Sequence, residues 1–110
     1  MPLRIVFESA ELILPPHRVL LRVADVRDSE EWRTTWRPLL SQLHAADATW
    51  DWRRQIDDGA SLQDRICLAA ILGDRLEGLV SLSIAPSRCA PGQELVYVEY
   101  LAVAPWTRER

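Results

Sequence analysis

The last stretch of the chain, residues 94–110, constrains the fold more than any other part of the sequence. It reads ELVYVEYLAVAPWTRER, an apolar run that ends at a proline. Side chains alternate between the two faces of a strand, so one face is predicted to carry Leu95, Tyr97, Glu99, Leu101 and Val103, and the other Val96, Val98, Tyr100 and Ala102. Both rows are mostly apolar, which is typical of a central strand covered on both faces.

Glu99 is the one carboxylate in the middle of this strand. Burying an ionised carboxylate is costly, so we expect Glu99 to pair with an arginine, to reach water in a cleft, or to take up a proton. A carboxylate in a cleft is a candidate general base. The structural alternative is that Glu99 lies near an opening or a strand end and pairs with one of the many arginines.

Composition excludes several classes of function. The chain of 110 residues is one domain at most, and its net charge of −3 gives no electrostatic footprint for nucleic acid or an anionic membrane. All thirteen basic residues are arginine, which rules out a Walker-type phosphate loop and a Schiff-base lysine. The histidines and cysteines, His17, His44, Cys67 and Cys89, show no paired ligand spacing, so we predict free thiols and no metal site.

The N-terminal segment, residues 1–18, is predicted to be either a loose arm or an extra edge strand that ends at Pro15 and Pro16. It lacks the long uncharged core of a secretory signal. No segment approaches the roughly twenty apolar residues that a membrane span requires. We therefore predict a cytoplasmic protein with no membrane partner.

A first strand is predicted over residues 18–23, followed by a helix. Asp28 and Glu31 have the spacing of a capping box that opens this helix. Pro38 lacks an amide donor and crowds the preceding turn, so the helix is expected to kink or restart near Arg37.

A second helical segment is predicted from Asp47, as its N-cap, to Asp58, with Gly59 as its stop. Trp50 and Trp52 lie two positions apart, and such neighbours face different sides of a helix. One of them is therefore expected at a surface, a groove or a cleft, and the other tryptophans in the core.

The remaining sequence predicts a hairpin that leads into the final strand. Residues 66–72 and 78–85 are strand-like and are joined by a short loop bounded by glycines. A loop over residues 86–94 then connects to the C-terminal strand. These three strands are expected to form an antiparallel meander.

This order of elements, with three local motifs, resembles the N-terminal half of a GNAT-family N-acetyltransferase over residues 19–108. VYVEYLAVAPWTR is similar to the fourth strand of the family, GDRLEGLVSLS to the hairpin of strands two and three, and RVADVRDSEEW to the first strand and helix. The resemblance implies an α+β fold of the three-layer type, with antiparallel strands 1–4 and two helical segments between strands 1 and 2. It also implies one incomplete domain over residues 1–110.

The resemblance implies acetyl transfer from acetyl-coenzyme A to an amine of a small molecule or a peptide. Leu101, Ala102 and Val103 match the stretch whose backbone holds the acetyl group and the pantetheine arm, which strand-like pairing can fix without a particular side chain. Arg108 matches the start of the element that binds the pyrophosphate.

Tyr97 and Glu99 match the face where the family often carries the acid that takes the proton of the attacking amine. The loop over residues 43–48 matches the region that shapes the acceptor pocket. The sequence departs from the family because no glycine follows Arg108, and because the family's third helix, the strand splayed from the fourth and the later helix that often supplies a tyrosine acid are absent. We therefore expect a truncated enzyme. The alternatives are a non-catalytic interaction module, whose C-terminal strand pairs through an exposed edge with a second copy or a complementing chain, and a non-functional fragment.

Overall fold

The computed structural model describes residues 7–14 and 17–107. A single antiparallel sheet has its five strands in sequence order, β1-β2-β3-β4-β5. The strands are β1 (Ser9–Leu14), β2 (His17–Val23), β3 (Arg65–Leu72), β4 (Arg75–Pro86) and β5 (Glu94–Val103). The helices are α1 (Val26–Glu31), α2 (Arg37–Gln42) and α3 (Trp52–Ser61), with a π-helical turn at Trp32–Trp36 and short 3₁₀ turns at Ala46–Thr49 and Pro105–Thr107.

The predicted meander is confirmed, and the N-terminal segment supplies an extra strand. β3 and β4 are joined by a two-residue turn, with Leu72 opposite Arg75. Gly73 in this turn has a φ of +65°, which a residue with a Cβ adopts only at a cost. β1 pairs with β2 at the other edge of the sheet, so over residues 9–14 the predicted extra edge strand is correct, whereas Pro15 and Pro16, where it was predicted to end, lie outside the described residues.

The first helix begins one turn earlier than the sequence predicts. Asp25 is the N-cap and Asp28 is the third helical residue, and the two side chains form the reciprocal bonds of a capping box. The predicted box of Asp28 and Glu31 is therefore wrong. The carboxylate of Asp28 already accepts the backbone N–H of Asp25 at 2.8 Å and the guanidinium of Arg22 at 2.7 and 2.8 Å.

The interruption predicted before Pro38 takes the form of the π-helical turn between α1 and α2. The backbone N–H of Arg37 donates to the carbonyl of Trp32, five residues back. A proline cannot donate to the helical ladder, and the wider turn accommodates its ring. The chain therefore continues as a helix through this point rather than ending there.

The last helix begins later than the sequence predicts. Asp51, not Asp47, is the N-cap of α3, because its Oδ1 accepts the backbone N–H of Arg54 at 3.0 Å. Asp47 lies in the preceding 3₁₀ turn. Gly59 does not end the helix but lies inside it, where a Cβ would come within 2.8 Å of the backbone nitrogen of Cys67. The glycine therefore permits the close approach of α3 to β3.

The hydrophobic core lies between the helices and one face of the sheet. Its helical members include Trp36, Leu40, Trp52 and Ile56, and its strand members include Cys67, Ala69, Leu76, Leu79 and Ala102. Within the residues described, no helix is long and apolar enough to cross a membrane.

The other face of β5 is open, which corrects the prediction of a central strand covered on both sides. Leu101 and Val98 each expose 61% of their surface, and β5 is the last strand of the sheet. Over residues 7–14 and 17–107 the domain is a sheet with helices on one face, so the predicted third layer is not found there. An apolar strand is able to be buried on both faces, but its composition does not show whether a second layer is present to cover it.

Candidate active site

A β-bulge at Glu99 changes the face on which this residue lies. Ser81 of β4 is opposite Tyr100, and the next residue of β4, Leu82, is opposite Val98, so Glu99 is the extra residue. The bulge reverses the alternation of side chains along β5. The predicted row that joined Tyr97 and Glu99 to Leu101 and Val103 is therefore wrong.

On the helix-facing side of the sheet, Glu99 is held by a hydroxyl. The Oγ of Ser83 donates to the Oε1 of Glu99 at 2.5 Å. The carboxylate is exposed, and with the residues described it forms no ion pair. Of the outcomes expected for a carboxylate in this strand, the structure selects the one in which it reaches a cleft, and the predicted pairing with an arginine is not found.

The Glu99 cleft has a volume of about 420 Å³ and lies between the start of α3 and the bulge of β5. Trp50 and Tyr100 form an aromatic wall, with their ring centroids 5.1 Å apart. Trp52 packs behind both rings and is fully buried, whereas Trp50 is half-buried and lines the cleft. The prediction that one of these two tryptophans lies at a surface, a groove or a cleft is confirmed by Trp50, although Trp50 precedes the helix rather than lying on it.

The charged residues of the cleft are grouped on its α3 side. Asp58 lies 4.0 Å from Arg54 and 3.9 Å from Arg65, so the two guanidinium groups share one carboxylate. Next to them, Gln55 accepts a hydrogen bond from Ser81 at 3.2 Å. Since both arginines of the cleft lie near Asp58, Glu99 faces the aromatic wall without a cationic partner from the described chain.

The remaining predicted site residues lie in different places. The hydroxyl of Tyr97 donates to the carbonyl of Pro86 at 3.3 Å, and this ring does not line the cleft. Ala102 is buried in the core, whereas the side chains of Leu101 and Val103 lie on the open face. The predicted site residue Arg108 lies outside the described residues.

Sequence reasoning missed the residues that surround Glu99. Ser83 lies sixteen positions from Glu99, and Gln55 and Arg65 belong to other elements, so only the tertiary structure brings them together. The predicted acceptor loop, residues 43–48, does not line this cleft, which begins at Thr49. Apart from Glu99 itself, the spacing of Trp50 and Trp52 was the signal in the sequence that pointed to this region.

Neither cysteine provides a nucleophile for the cleft. Burial and, as a smaller cause, the negative charge of Asp28 together raise the pKa of the Cys67 thiol to about 12. Cys89 is exposed in the loop before β5, and neither cysteine lines the cleft. The described part of the chain contains no group of three or more histidine, cysteine or carboxylate side chains placed to hold a metal ion.

Comparison with known proteins does not identify a family, so the function is inferred from the geometry of the site. No family model, no curated protein and no solved structure matches this chain.

Proposed function

We propose that the protein is an N-acetyltransferase of the GNAT type that transfers an acetyl group from acetyl-coenzyme A to an amine bound in the Glu99 cleft. The observation that carries the proposal is the bulge of β5, which presents an exposed carboxylate, without a cationic partner in the described chain, to an aromatic-walled cleft. A carboxylate can take a proton from an ammonium group, and aromatic faces attract cations. An amine acceptor suits both features.

In the proposed reaction Glu99 is the general base. It accepts a proton from the acceptor amine while the amine nitrogen attacks the carbonyl carbon of the thioester. The carbon–sulfur bond then breaks, and the thiolate of coenzyme A leaves and is protonated. The bond from Ser83 fixes the carboxylate in the cleft, so Ser83 is a positioning residue.

The described residues fit the acyl end of the coenzyme. β5 is the last strand of the sheet, so near Leu101 its outer side is not paired with another strand of the described chain. A pantetheine arm carries amide groups that can pair with such an edge. The proposal places Leu101, Ala102 and Val103 beside this arm and Arg108 towards the pyrophosphate, and it assigns no chemical step to them.

Replacement of Glu99 by glutamine tests the proposed base. We expect Glu99→Gln to lower the rate of acetyl transfer by about 100-fold or more, the usual scale for losing a general base. The measurement is the release of coenzyme A thiol by the full chain with a panel of small amines. Glu94→Gln is the matched control, because Glu94 is an exposed carboxylate at the start of the same strand. Equal rates for the two variants would remove Glu99 from the role.

A second candidate function is a non-catalytic interaction module that pairs through β5. This strand has ten residues, lies at the edge of the sheet, and exposes Val96, Val98, Leu101 and Val103. Natural edge strands are usually protected by charges or proline, and β5 has only Glu94 and Glu99. A second copy of the chain is the simplest partner, because two such edges can extend one antiparallel sheet.

Light scattering coupled to size exclusion tests this candidate. We expect dimers whose dissociation constant rises by about tenfold or more in Val98→Lys, because the new charge must be desolvated at the edge. Leu43→Lys is the control, since Leu43 is an exposed leucine at the end of α2, away from the sheet edge. A strictly monomeric wild-type chain would contradict the candidate.

A further inference from the structure

A second cleft, which we name the arginine cleft, shares the lining residues Thr49, Trp50 and Asp51 with the Glu99 cleft. Its volume is about 320 Å³. The side chains that define it are Trp32, Arg33, Arg37, Trp50, Trp52 and Arg53. It is therefore a pocket with indole rings in its walls, whose charged groups are three guanidinium ions and the carboxylates of Glu30 and Asp51.

The charges of the arginine cleft are only partly compensated. Arg33 pairs with Glu30 at 2.8 Å, and Arg53 pairs with Asp57 at 3.2 Å. The guanidinium of Arg37 makes no hydrogen bond or ion pair with the residues that the structure describes. The other carboxylate of the cleft is that of Asp51, whose Oδ1 already accepts the backbone N–H of Arg54.

Two further features favour an anion in this position. α3 begins at the cleft, and the first amide groups of a ten-residue helix carry partial positive charge. The indoles of Trp32 and Trp52 line the cleft, and their buried Nε1–H groups have no hydrogen-bond partner in the described chain. By contrast, the Nε1–H of Trp106 donates to Glu77 at 2.8 Å. These N–H groups are covered, as is the unpaired Nε1–H of Trp36 outside the cleft, so an acceptor oxygen in the cleft reaches those of Trp32 and Trp52 only when the rings move.

We propose that the arginine cleft binds a small organic carboxylate with a planar apolar body. A carboxylate matches the fork of the Arg37 guanidinium, which can donate two parallel hydrogen bonds. A planar body can pack on the exposed part of Trp50 and on the rings beside it. This inference goes beyond the acetyl-transfer proposal and holds whether or not the Glu99 cleft catalyses that reaction.

Titration of the full wild-type chain with two matched probes tests the ligand class. Benzoate carries the carboxylate on a planar ring, and benzamide has the same shape without the charge. We expect benzoate to bind about tenfold more tightly than benzamide, the scale of a charge-assisted hydrogen bond at a partly exposed site. Equal affinities would overturn the proposal, as would inorganic phosphate binding as tightly as benzoate, because the planar body would then contribute nothing.

The indole N–H resonances in ¹H–¹⁵N NMR spectra locate the binding. We expect benzoate to shift the signals of Trp32 and Trp52, while the signal of Trp106, already bonded to Glu77, stays in place. Saturable shifts confined to Trp106, or equal shifts at all three indoles, would place the ligand elsewhere and overturn the proposal.

A pair of arginine variants tests the role of Arg37 in the same titration. We expect Arg37→Gln to weaken benzoate binding about tenfold, because a hydrogen-bonded charge is lost. Arg88→Gln is the control for net charge, since Arg88 is an exposed arginine in the loop before β5 and does not line the cleft. The same affinity in both variants would overturn the assignment, and the comparison of benzoate with benzamide tests the ligand class without any variant.

Discussion

On the helix-covered face of the sheet Ala102 is almost completely buried, whereas its neighbour Leu101 exposes 61% of its surface on the other face. The two residues are adjacent in one apolar strand, so their difference in burial comes from what lies above each face. The covered face carries the aromatic core and the Glu99 cleft. The open face offers an apolar surface without a described partner. The Glu99 cleft and this apolar surface are thus separated by the thickness of one sheet.

The mutation pair with the largest expected difference compares a buried side chain that packs over the covered face with an exposed side chain on the open face. Trp36 is fully buried and Val98 is largely exposed. We expect Trp36→Ala to lower the free energy of unfolding by about 3–5 kcal/mol, because its cavity cannot collapse. Val98→Ala should lower it by less than about 0.5 kcal/mol, as for a surface substitution.

Guanidinium unfolding followed by circular dichroism measures both values. If Val98→Ala lowered the free energy of unfolding as much as Trp36→Ala, the open face would have to be covered in solution. The two faces would then not differ in burial.

Loss of the ion pair between Asp28 and Arg22 is expected to have the next largest effect on the free energy of unfolding. Asp28 is buried and accepts a bidentate bond from Arg22, whose pKa is raised chiefly by this hydrogen bond. We expect Asp28→Asn to cost about 2 kcal/mol of stability, less than for a fully buried pair because Arg22 is partly exposed.

The matched control is Asp57→Asn, since Asp57 pairs with Arg53 where both side chains are exposed. Its expected cost is below about 0.5 kcal/mol. Equal costs for the two variants in the same unfolding measurement would show that burial does not strengthen the Arg22 pair.

The last predicted effect, smaller per pH unit than the two before it, is a pH dependence of stability that reports on the covered face through Cys67. Its pKa of about 12 in the folded protein lies above the ordinary value of 9.0, chiefly because of burial. A raised pKa contributes stability that is complete below pH 9 and is lost as the pH rises towards 12. We expect this loss to approach about 1 kcal/mol per pH unit.

Unfolding of the wild type and of Cys67→Ala at pH 8, 9, 10 and 11 measures this contribution. The variant should lack the part of the slope that belongs to the thiol. Identical slopes in both proteins would contradict the burial of Cys67.

Local features of the fold were predictable from the sequence, and features that depend on register were not. The hairpin of β3 and β4 follows from two apolar runs around Gly73, and the irregularity before Pro38 follows from the chemistry of proline. The predicted helix starts differ from the observed ones because several aspartates have the spacing of a helix cap. Only the structure shows that the side chains of Asp25 and Asp51 accept hydrogen bonds from the backbone N–H groups of their helices.

The candidate site was only partly predictable for the same reason. Glu99 was identified because it is the one acid inside an apolar strand. Its surroundings depend on the pairing of β5 with β4, and the bulge that redirects it leaves no mark in the composition. Ser83 and Gln55 could not be assigned to the site because they come from distant parts of the chain.

The extra residue at position 99 also means that the proposed base depends on strand alignment more than on any side chain that surrounds it. If the part of β5 before Tyr100 slid by one position and absorbed the bulge, Glu99 would lie opposite Leu82 and turn to the side occupied by Leu101, and the cleft would lose its acid while the sequence stayed the same. A partner that docks along β5 could therefore switch this acid in or out of reach of an acceptor without touching the cleft itself.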